Sequence, residues 1–332
     1  MPSVRKPRNL TDLARQAKVT AATVSLALRD SPQVSPKVKE RIRQMAAEWG
    51  FTPRTYNRRP KPQPSYSYAH LGPVLVLHYD TDEEDPVRDG ILPVIFQRLN
   101  QYGIDYQYKS HSEIKANPSL LDQFAGALYY NDLRGWQLPP ELPSVQIFGW
   151  DPMGPQQDRI TTDDRKIVEI AEEFFRRAGV KRTVIVWREE MVHIPDHPRI
   201  TGFLARMNAA GLEATPMPFR REDPGFSTRL KSYIESGDDR IGFFGFNAFC
   251  GVKLCGVLDG LGLLEKYGPN SILVCDKSLL LNVFYPPPAM IDLNLPTMAD
   301  RAVQMLLYRL ASLSPPSMFV QQSPRLVLRS YS

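Results

Sequence analysis

Leu10-Thr11-Asp12-Leu13-Ala14-Arg15-Gln16-Ala17-Lys18-Val19-Thr20-Ala21-Ala22-Thr23-Val24-Ser25-Leu26-Ala27-Leu28 is the stretch that decides how this 332-residue chain begins. Leu10, Leu13, Ala14 and Ala17 recur at i, i+3, i+4 and i+7, which gives one helix a single apolar stripe. Lys18-Val19 leaves room only for a tight turn, and Thr20 suits the N-cap of a second helix whose inward face is Val24, Ala27 and Leu28. At 100° per residue, Ala21, Ala22, Ser25, Leu26 and Arg29 project from the opposite side. Ser35-Pro36 opens a third helix, striped by Val38, Ile42, Met45, Ala46 and Trp49 and stopped at Gly50. Two helices joined by so short a turn form the arrangement that sets a recognition helix in a major groove, although pattern alone leaves other small helical bundles open.

Charge points the same way. The whole chain carries +5, but residues 1–61 carry +10 and the remainder −5. A small basic module on a mildly acidic body is the footprint of a protein that touches a polyanion at one end. Length implies at least two folding units. Cys250, Cys255 and Cys275 are odd in number and lie in apolar stretches, which suits reduced core thiols in a cytoplasmic protein better than a disulfide framework. No apolar run reaches the length of a membrane span, and the basic N-terminus has no secretory pattern.

The residues of the head also resemble a family. Leu10-Thr11-Asp12-Leu13-Ala14, Val19-Thr20-Ala21-Ala22-Thr23-Val24-Ser25, Val34-Ser35 and Gly50-Phe51-Thr52-Pro53 together resemble the DNA-binding domain of the LacI/GalR family of bacterial repressors. The resemblance implies a helix-turn-helix domain at residues 1–57, in which Thr20, Ala21 and Ala22 approach base edges. Thr11, Thr23, Ser25, Arg29 and Gln33 complete the contact set near the sugar-phosphate backbone. Alanines meet only thymine methyls, and hydroxyls bind phosphate without reading sequence. Leu26 stands where many members carry arginine. It cannot make the bidentate guanine contact worth about 1–3 kcal/mol, so this reader is expected to lean on apolar contacts and DNA shape.

The connection to the body departs from the family. Members usually carry a hinge helix there that inserts a leucine into the minor groove. Residues 58–70 are read instead as a proline-rich linker, because Pro60, Pro62 and Pro64 remove backbone donors and favour extended chain. No leucine occurs between Leu28 and Leu71, so the wedge is missing as well. Arg54, Arg58 and Arg59 still supply charge that can follow a groove. A plain solubilising spacer is the alternative.

From Leu71 onward, short β-rich runs alternate with amphipathic helices: Val74–Leu77 before 90–102, Ala125–Tyr130, Val145–Phe148 before 163–178, and Thr183–Trp187 before 198–210. Ile241–Phe246, Ser271–Cys275 and Met290–Leu293 continue the series. Such alternation argues for parallel sheets covered by helices, with binding at the carboxyl ends of the strands. There is no Walker sequence, dinucleotide fingerprint, nucleophile elbow or His/Cys cluster at metal spacing, so neither a cofactor nor a metal is expected and the chain is not read as an enzyme. His193 and His197 share a loop and indicate nothing by themselves.

The body too is similar to LacI-type sensors, through Arg159-Ile160-Thr161-Thr162-Asp163-Asp164, Ala178-Gly179-Val180-Lys181-Arg182, Arg199-Ile200-Thr201-Gly202-Phe203, Phe246-Asn247 and Val274-Cys275-Asp276. The implied whole is an all-α helix-turn-helix head plus an α/β two-lobed periplasmic-binding-protein-like (type I) sensor and dimerisation domain over 71–332. On that model 71–161 and roughly 291–315 form the lobe near the DNA. Asp164, Arg199, Asn247 and Asp276 are then expected to hydrogen-bond an effector, with Trp150 and Phe246 placed to stack on a sugar face. Capping a helix is the competing role for Asp164, and core packing for the aromatics. Members usually carry Asn-Asp where Asn247-Ala248 stands here, and Lys277 replaces a polar or acidic residue. An unusual or phosphorylated effector, or none, follows from these departures.

The expected function is sequence-specific DNA binding by a homodimer on a near-palindromic operator. It is read as a transcription repressor controlled by a small carbohydrate. An architectural DNA-binding dimer without effector, and an enzyme fused to a DNA reader, are the alternatives. The face of residues 89–101 is a candidate contribution to dimerisation.

Overall fold

The stripe read at the N-terminus folds as a helix, α1 (Leu10–Ala17), followed by α2 (Ala21–Leu28) and α3 (Pro36–Glu48). The computed structural model describes residues 10–28, 34–48, 68–78, 80, 85–131, 136–149, 157–191, 196–237, 240–312 and 315–328. The chain divides into two compact units, Met1–Ser65 and Tyr66–Ser332. In the first, Leu13, Ala14 and Ala17 of α1, Val24 and Ala27 of α2, Val34, and Ile42 and Ala46 of α3 close one small core. Lys18 takes a left-handed φ of 53°, which turns the chain sharply between α1 and α2. Thr20 caps α2, its hydroxyl accepting from the Thr23 amide at 3.1 Å. Arg41 of α3 donates to the Ala17 carbonyl at 3.1 Å, satisfying a C-terminal group of α1.

The second unit is two parallel sheets. In chain order its elements are β1 (Val74–His78), α4 (Pro86–Gln101), β2 (Tyr106–Ser110), α5 (His111–Ala116), β3 (Gly126–Tyr130), β4 (Ser144–Ile147) and β5 (Gln157–Thr162). Then come α6 (Asp164–Arg177), β6 (Arg182–Arg188), α7 (Pro198–Ala209), β7 (Glu213–Phe219), α8 (Phe226–Glu235), β8 (Ile241–Gly245), α9 (Ala248–Gly260), α10 (Leu264–Ser271) and β9 (Ile272–Cys275). The chain closes with β10 (Ala289–Asp292), α11 (Leu295–Ala311), β11 (Phe319–Gln322) and β12 (Arg325–Val327). One sheet has the order β11-β5-β4-β3-β1-β2, the other β12-β10-β9-β8-β6-β7, and only β12 runs antiparallel to its neighbour.

Both faces of each sheet are covered, which is why β1, β3, β8 and β9 read as largely apolar runs. In the near sheet, Val74 and Val76 face α4 and α11, whereas Leu75 and Leu77 face Ile114, Leu121 and Phe124. In the far sheet, the Phe203 ring stacks on Phe244 at 5.0 Å and meets Phe175 edge-on. Each such fully buried ring contributes about 1.5–3 kcal/mol. The near sheet is locked to α11 by Arg309, which donates from Nε to Asp158 of β5 at 2.7 Å, both side chains being buried.

The chain crosses between the sheets three times: from β5 to α6, from β10 to α11, and from β11 to β12. This corrects the sequence-based partition of the lobes. The return to the near lobe begins at Leu295 and runs through β11, while β10, read within the returning segment, belongs to the far sheet. The edge strands β2, β7, β11 and β12, and the internal strand β5, escaped the sequence pattern. β2 is largely polar, and β7 carries Pro216 and Pro218, tolerated because an edge strand can lose ladder donors. Among the described residues no helix is long and apolar enough to cross a membrane.

Candidate functional site

Each crossover leaves the carboxyl end of a strand, so the polar residues that follow the strands gather between the two lobes. Four of the five described non-glycine residues with left-handed φ are here: Asn131 after β3, Phe148 after β4, Asp276 after β9 and Asn294 after β10. Backbone strain of this kind concentrates where side chains must be aimed.

From the far lobe, Arg199 at the start of α7 is the centre of a buried network. Its Nε donates to Asp164 at 2.8 Å, one terminal nitrogen to the Phe246 carbonyl at 2.8 Å, and the other to the Thr162 hydroxyl at 3.4 Å. Burial opposes its charge, and the surrounding anions, Asp164 and Asp276 among them, hold the guanidinium protonated. Asp163, not Asp164, caps α6, accepting from the Lys166 amide at 2.9 Å. Asp164 is thereby left for Arg199. The Phe246 ring lies 4.6 Å beneath the same guanidinium and meets His197 edge-on. His197 accepts the Arg199 amide on Nδ1 at 3.1 Å, and burial, reinforced by Arg199, pushes its pKa down to about 3. It is neutral at physiological pH.

Asn247 spends its amide oxygen on capping α9, accepting from Cys250 at 3.0 Å. Asp276 is 5% exposed and holds φ at 77°, a conformation Asp tolerates better than most residues. Its carboxylate accepts from the Ala248 amide at 3.4 Å and from the Cys275 thiol at 3.7 Å, both long contacts. Burial pushes Asp276 up to about 6, Arg199 pulls against the rise, and Asp85 adds to it.

Asp85 and Tyr130 belong to the near lobe and were not foreseen. Asp85 caps α4 through Oδ1, accepting from Val87 at 3.0 Å, and its Oδ2 accepts the Tyr130 hydroxyl at 2.8 Å. Burial, then the Asp85 charge, raises Tyr130 well above an ordinary phenol, so it stays a donor. Phe148 meets the Tyr130 ring edge-on at 5.8 Å. Asp85 followed by Pro86 was a readable cap signal, but its contact with Tyr130, 45 residues away, was not.

Lys277 does not add a cation beside Asp276. Its ammonium lies 3.9 Å from Asp292, where Arg325 also donates at 2.9 Å, so it joins the two crossovers after β10 and β11. Cys250 and Cys255 are pushed up to about 12 by burial and Cys275 is also raised, as expected of inert core thiols. Among the described residues no group of His, Cys, Asp or Glu is arranged to hold a metal ion. Trp150 lies outside the described residues.

In the head, Thr20 is exposed, and its hydroxyl lies 2.8 Å from that of Thr23. Leu26 is half-buried and packs against the head core together with Leu28, so its four-carbon chain folds over the edge of the inward stripe instead of standing clear of it. The side chains of Thr11, Ala21, Ala22 and Ser25 lie outside the described ones, as do Arg29, Gln33, Arg54, Arg58, Arg59 and most of the proline-rich linker.

Comparison with known proteins agrees with this geometry. Residues 9–54 match the model of the bacterial regulatory proteins of the lacI family. No curated protein matches the chain in sequence. Among solved structures, a transcriptional regulator CelR in complex with cellobiose superposes with a TM-score of 0.63 at 18% identity, over 97% of this chain and 99% of that one. A lac repressor dimer bound to operator and an anti-inducer gives 0.59 at 16% identity, over 97% and 98%. A LacI family transcriptional regulator from Arthrobacter sp. FB24 in complex with lactose gives 0.64 at 16% identity, over 78% and 98%. The head thus matches the lacI-family model over residues 9–54, and the body shares the two-lobed fold of the solved structures on which it superposes.

Proposed function

We propose that this chain is a transcription repressor that reads a near-palindromic operator as a homodimer and changes its grip when a sugar or sugar derivative fills the cleft between its lobes. A head that matches the lacI-family model, on a two-lobed body in which Arg199 binds Asp164 at the first crossover and acts on Asp276 after β9, is the observation that carries this reading. A ligand there touches both lobes at the strand ends, so its binding energy biases their closure. The relatives that hold cellobiose and lactose support the carbohydrate class. No chemistry is assigned to the site: it binds and does not turn over.

The head is assigned to residues 1–57, the linker to 58–70 and the sensor to 71–332. Thr20, Ala21 and Ala22 are assigned to base edges. The hydroxyls of Thr11, Thr23 and Ser25, with Gln33 and the arginines at 29, 54, 58 and 59, are assigned to the backbone of the duplex. Dimerisation is assigned to the body. The turn over Leu279–Val283 presents Leu279 and Val283 at 83% and 78% exposure, and these apolar side chains are assigned to that contact.

Selecting bound sequences from a random duplex pool tests the reading. A near-palindromic site is expected, with log affinity falling linearly in log salt. Absence of salt-sensitive binding to any duplex refutes it, and equal affinity for selected and random duplex favours an architectural role.

A further inference from the structure

We propose a second small-molecule site on the far lobe, a groove between α6 and β12 that takes an amphipathic carboxylate with a flat apolar body. It is a different place from the cleft. Arg177 ends α6, Arg240 precedes β8, and β12 runs antiparallel to β10. Leu328 and both arginines therefore line the groove at the amino ends of the far-sheet strands, whereas the crossovers leave the carboxyl ends.

The groove encloses about 360 Å³, within the range of small-ligand sites. Its walls are apolar on two sides. Ile170, Phe174 and Arg177 fall at helical spacing on one face of α6, while Leu326 and Leu328, two residues apart, share one face of the β12 segment. Phe174 and Leu326 pack into the far core. Leu328 is 64% exposed, apolar surface that an occupant of the groove would cover.

The rim is cationic. Arg240 donates from one terminal nitrogen to the Ala178 carbonyl at 2.7 Å, which fixes its guanidinium beside the end of α6. Arg177 is bound by Glu173, the one acid among the described lining residues, so the rim keeps a net positive charge. A guanidinium fork matches a carboxylate, and an ammonium ligand would meet like charge. A sugar would lose hydrogen bonds against the apolar walls. The groove also bears on the lobes' connections: α6 follows the first crossover and opens with Asp164, the partner of Arg199, and β12 follows the third. An occupant braces these two elements against each other.

Calorimetric titration of the full-length protein with trans-cinnamate and with cinnamyl alcohol, its neutral counterpart, tests the assignment. Cinnamate is expected to bind with a dissociation constant below about 1 mM and at least about tenfold more tightly than the alcohol, the scale of one charge-assisted hydrogen bond. Arg240→Gln should remove that preference. Leu328→Asp, at an exposed position where substitution hardly affects folding, should remove binding. Equal affinity for acid and alcohol, binding that survives in both variants, or no binding at millimolar cinnamate would overturn the proposal. Binding that appears only after residues 329–332 are deleted would give the groove to the chain's own tail and overturn it as well. None of these outcomes bears on the head, which the duplex selection judges.

Discussion

Arg199 reaches across 35 residues of sequence to Asp164, its Nε lying 2.8 Å from the carboxylate with both side chains under a tenth exposed. The pair joins the start of α7 to the start of α6, one residue beyond the first crossover. It therefore ties α7 of the far lobe to the strand end where the proposed ligand would sit.

Removing one partner should be worse than removing both. Asp164→Leu leaves a buried guanidinium without its counter-charge and is expected to cost about 3–5 kcal/mol of unfolding free energy. Arg199→Met in addition to Asp164→Leu should recover part of that loss. Urea unfolding of the two proteins checks the order, and a double variant less stable than the single would contradict it.

Two groups at the site should tilt the pH profile of stability in opposite directions. His197 has a folded pKa of about 3, below its ordinary value, so its contribution is complete above pH 6.5 and is lost as pH falls toward 3. Asp276, pushed up to about 6 by burial against the pull of Arg199, works the other way: its contribution is complete below pH 3.8 and is lost as pH rises through 6. Each amounts to a few kcal/mol at most, on the order set by about 1.4 kcal/mol per tenfold change in proton affinity. Between pH 4 and 6, His197→Gln should make stability fall more steeply with rising pH, and Asp276→Asn should make it rise. Thermal unfolding across that window decides; parallel profiles for both variants would be the contrary result.

Two glycines of α9 should respond oppositely to alanine. A methyl on Gly251 would overlap the γ-methyls of Val274, where the helix packs directly on β9, so Gly251→Ala is expected to destabilise by about 1–3 kcal/mol. A methyl on Gly256 meets nothing within 4 Å, and Gly256→Ala should stabilise by about 0.5–1 kcal/mol through helix propensity. Equal shifts in unfolding midpoint would show that the helix does not sit on the strand as described.

Val283→Asp should weaken self-association while leaving the fold nearly intact. The side chain is 78% exposed in one copy, and surface changes of this kind usually alter stability by under about 0.5 kcal/mol. Sedimentation equilibrium is expected to show a shift toward monomer. An unchanged dimer population would move the interface to another face.

The head was legible because its apolar residues repeat at helical spacing within one short stretch, so local pattern and tertiary core coincide at Leu13, Ala14, Ala17, Val24 and Ala27. Most central strands were legible for a similar reason, as short apolar runs, whereas β5, Gln157–Thr162, is central but polar and was not read as a strand. α9 was not: Ala248, Cys250, Gly251, Leu254, Cys255 and Leu258 are all buried, and a helix apolar on most of its faces has no stripe to read. Within the site, Asp164, Arg199 and Asp276 were named from sequence. The partners that define what they do were not. Asp85 meets Tyr130 within the near lobe and His197 meets Phe246 within the far one, each through the topology of strand ends, and nothing in residue spacing reports either contact. Lys277, which stands where members carry a polar or acidic residue, lies 3.9 Å from Asp292, a carboxylate that also pairs with Arg325.

Because β12 completes the far sheet and α11 with β11 completes the near one, no continuous segment of this chain encodes either half of the body. During synthesis, both must wait with an open flank until the segment from α11 to β12 has left the ribosome. A truncation that removes this final stretch should therefore cripple the two halves together, and neither is expected to survive expression as a separate fragment.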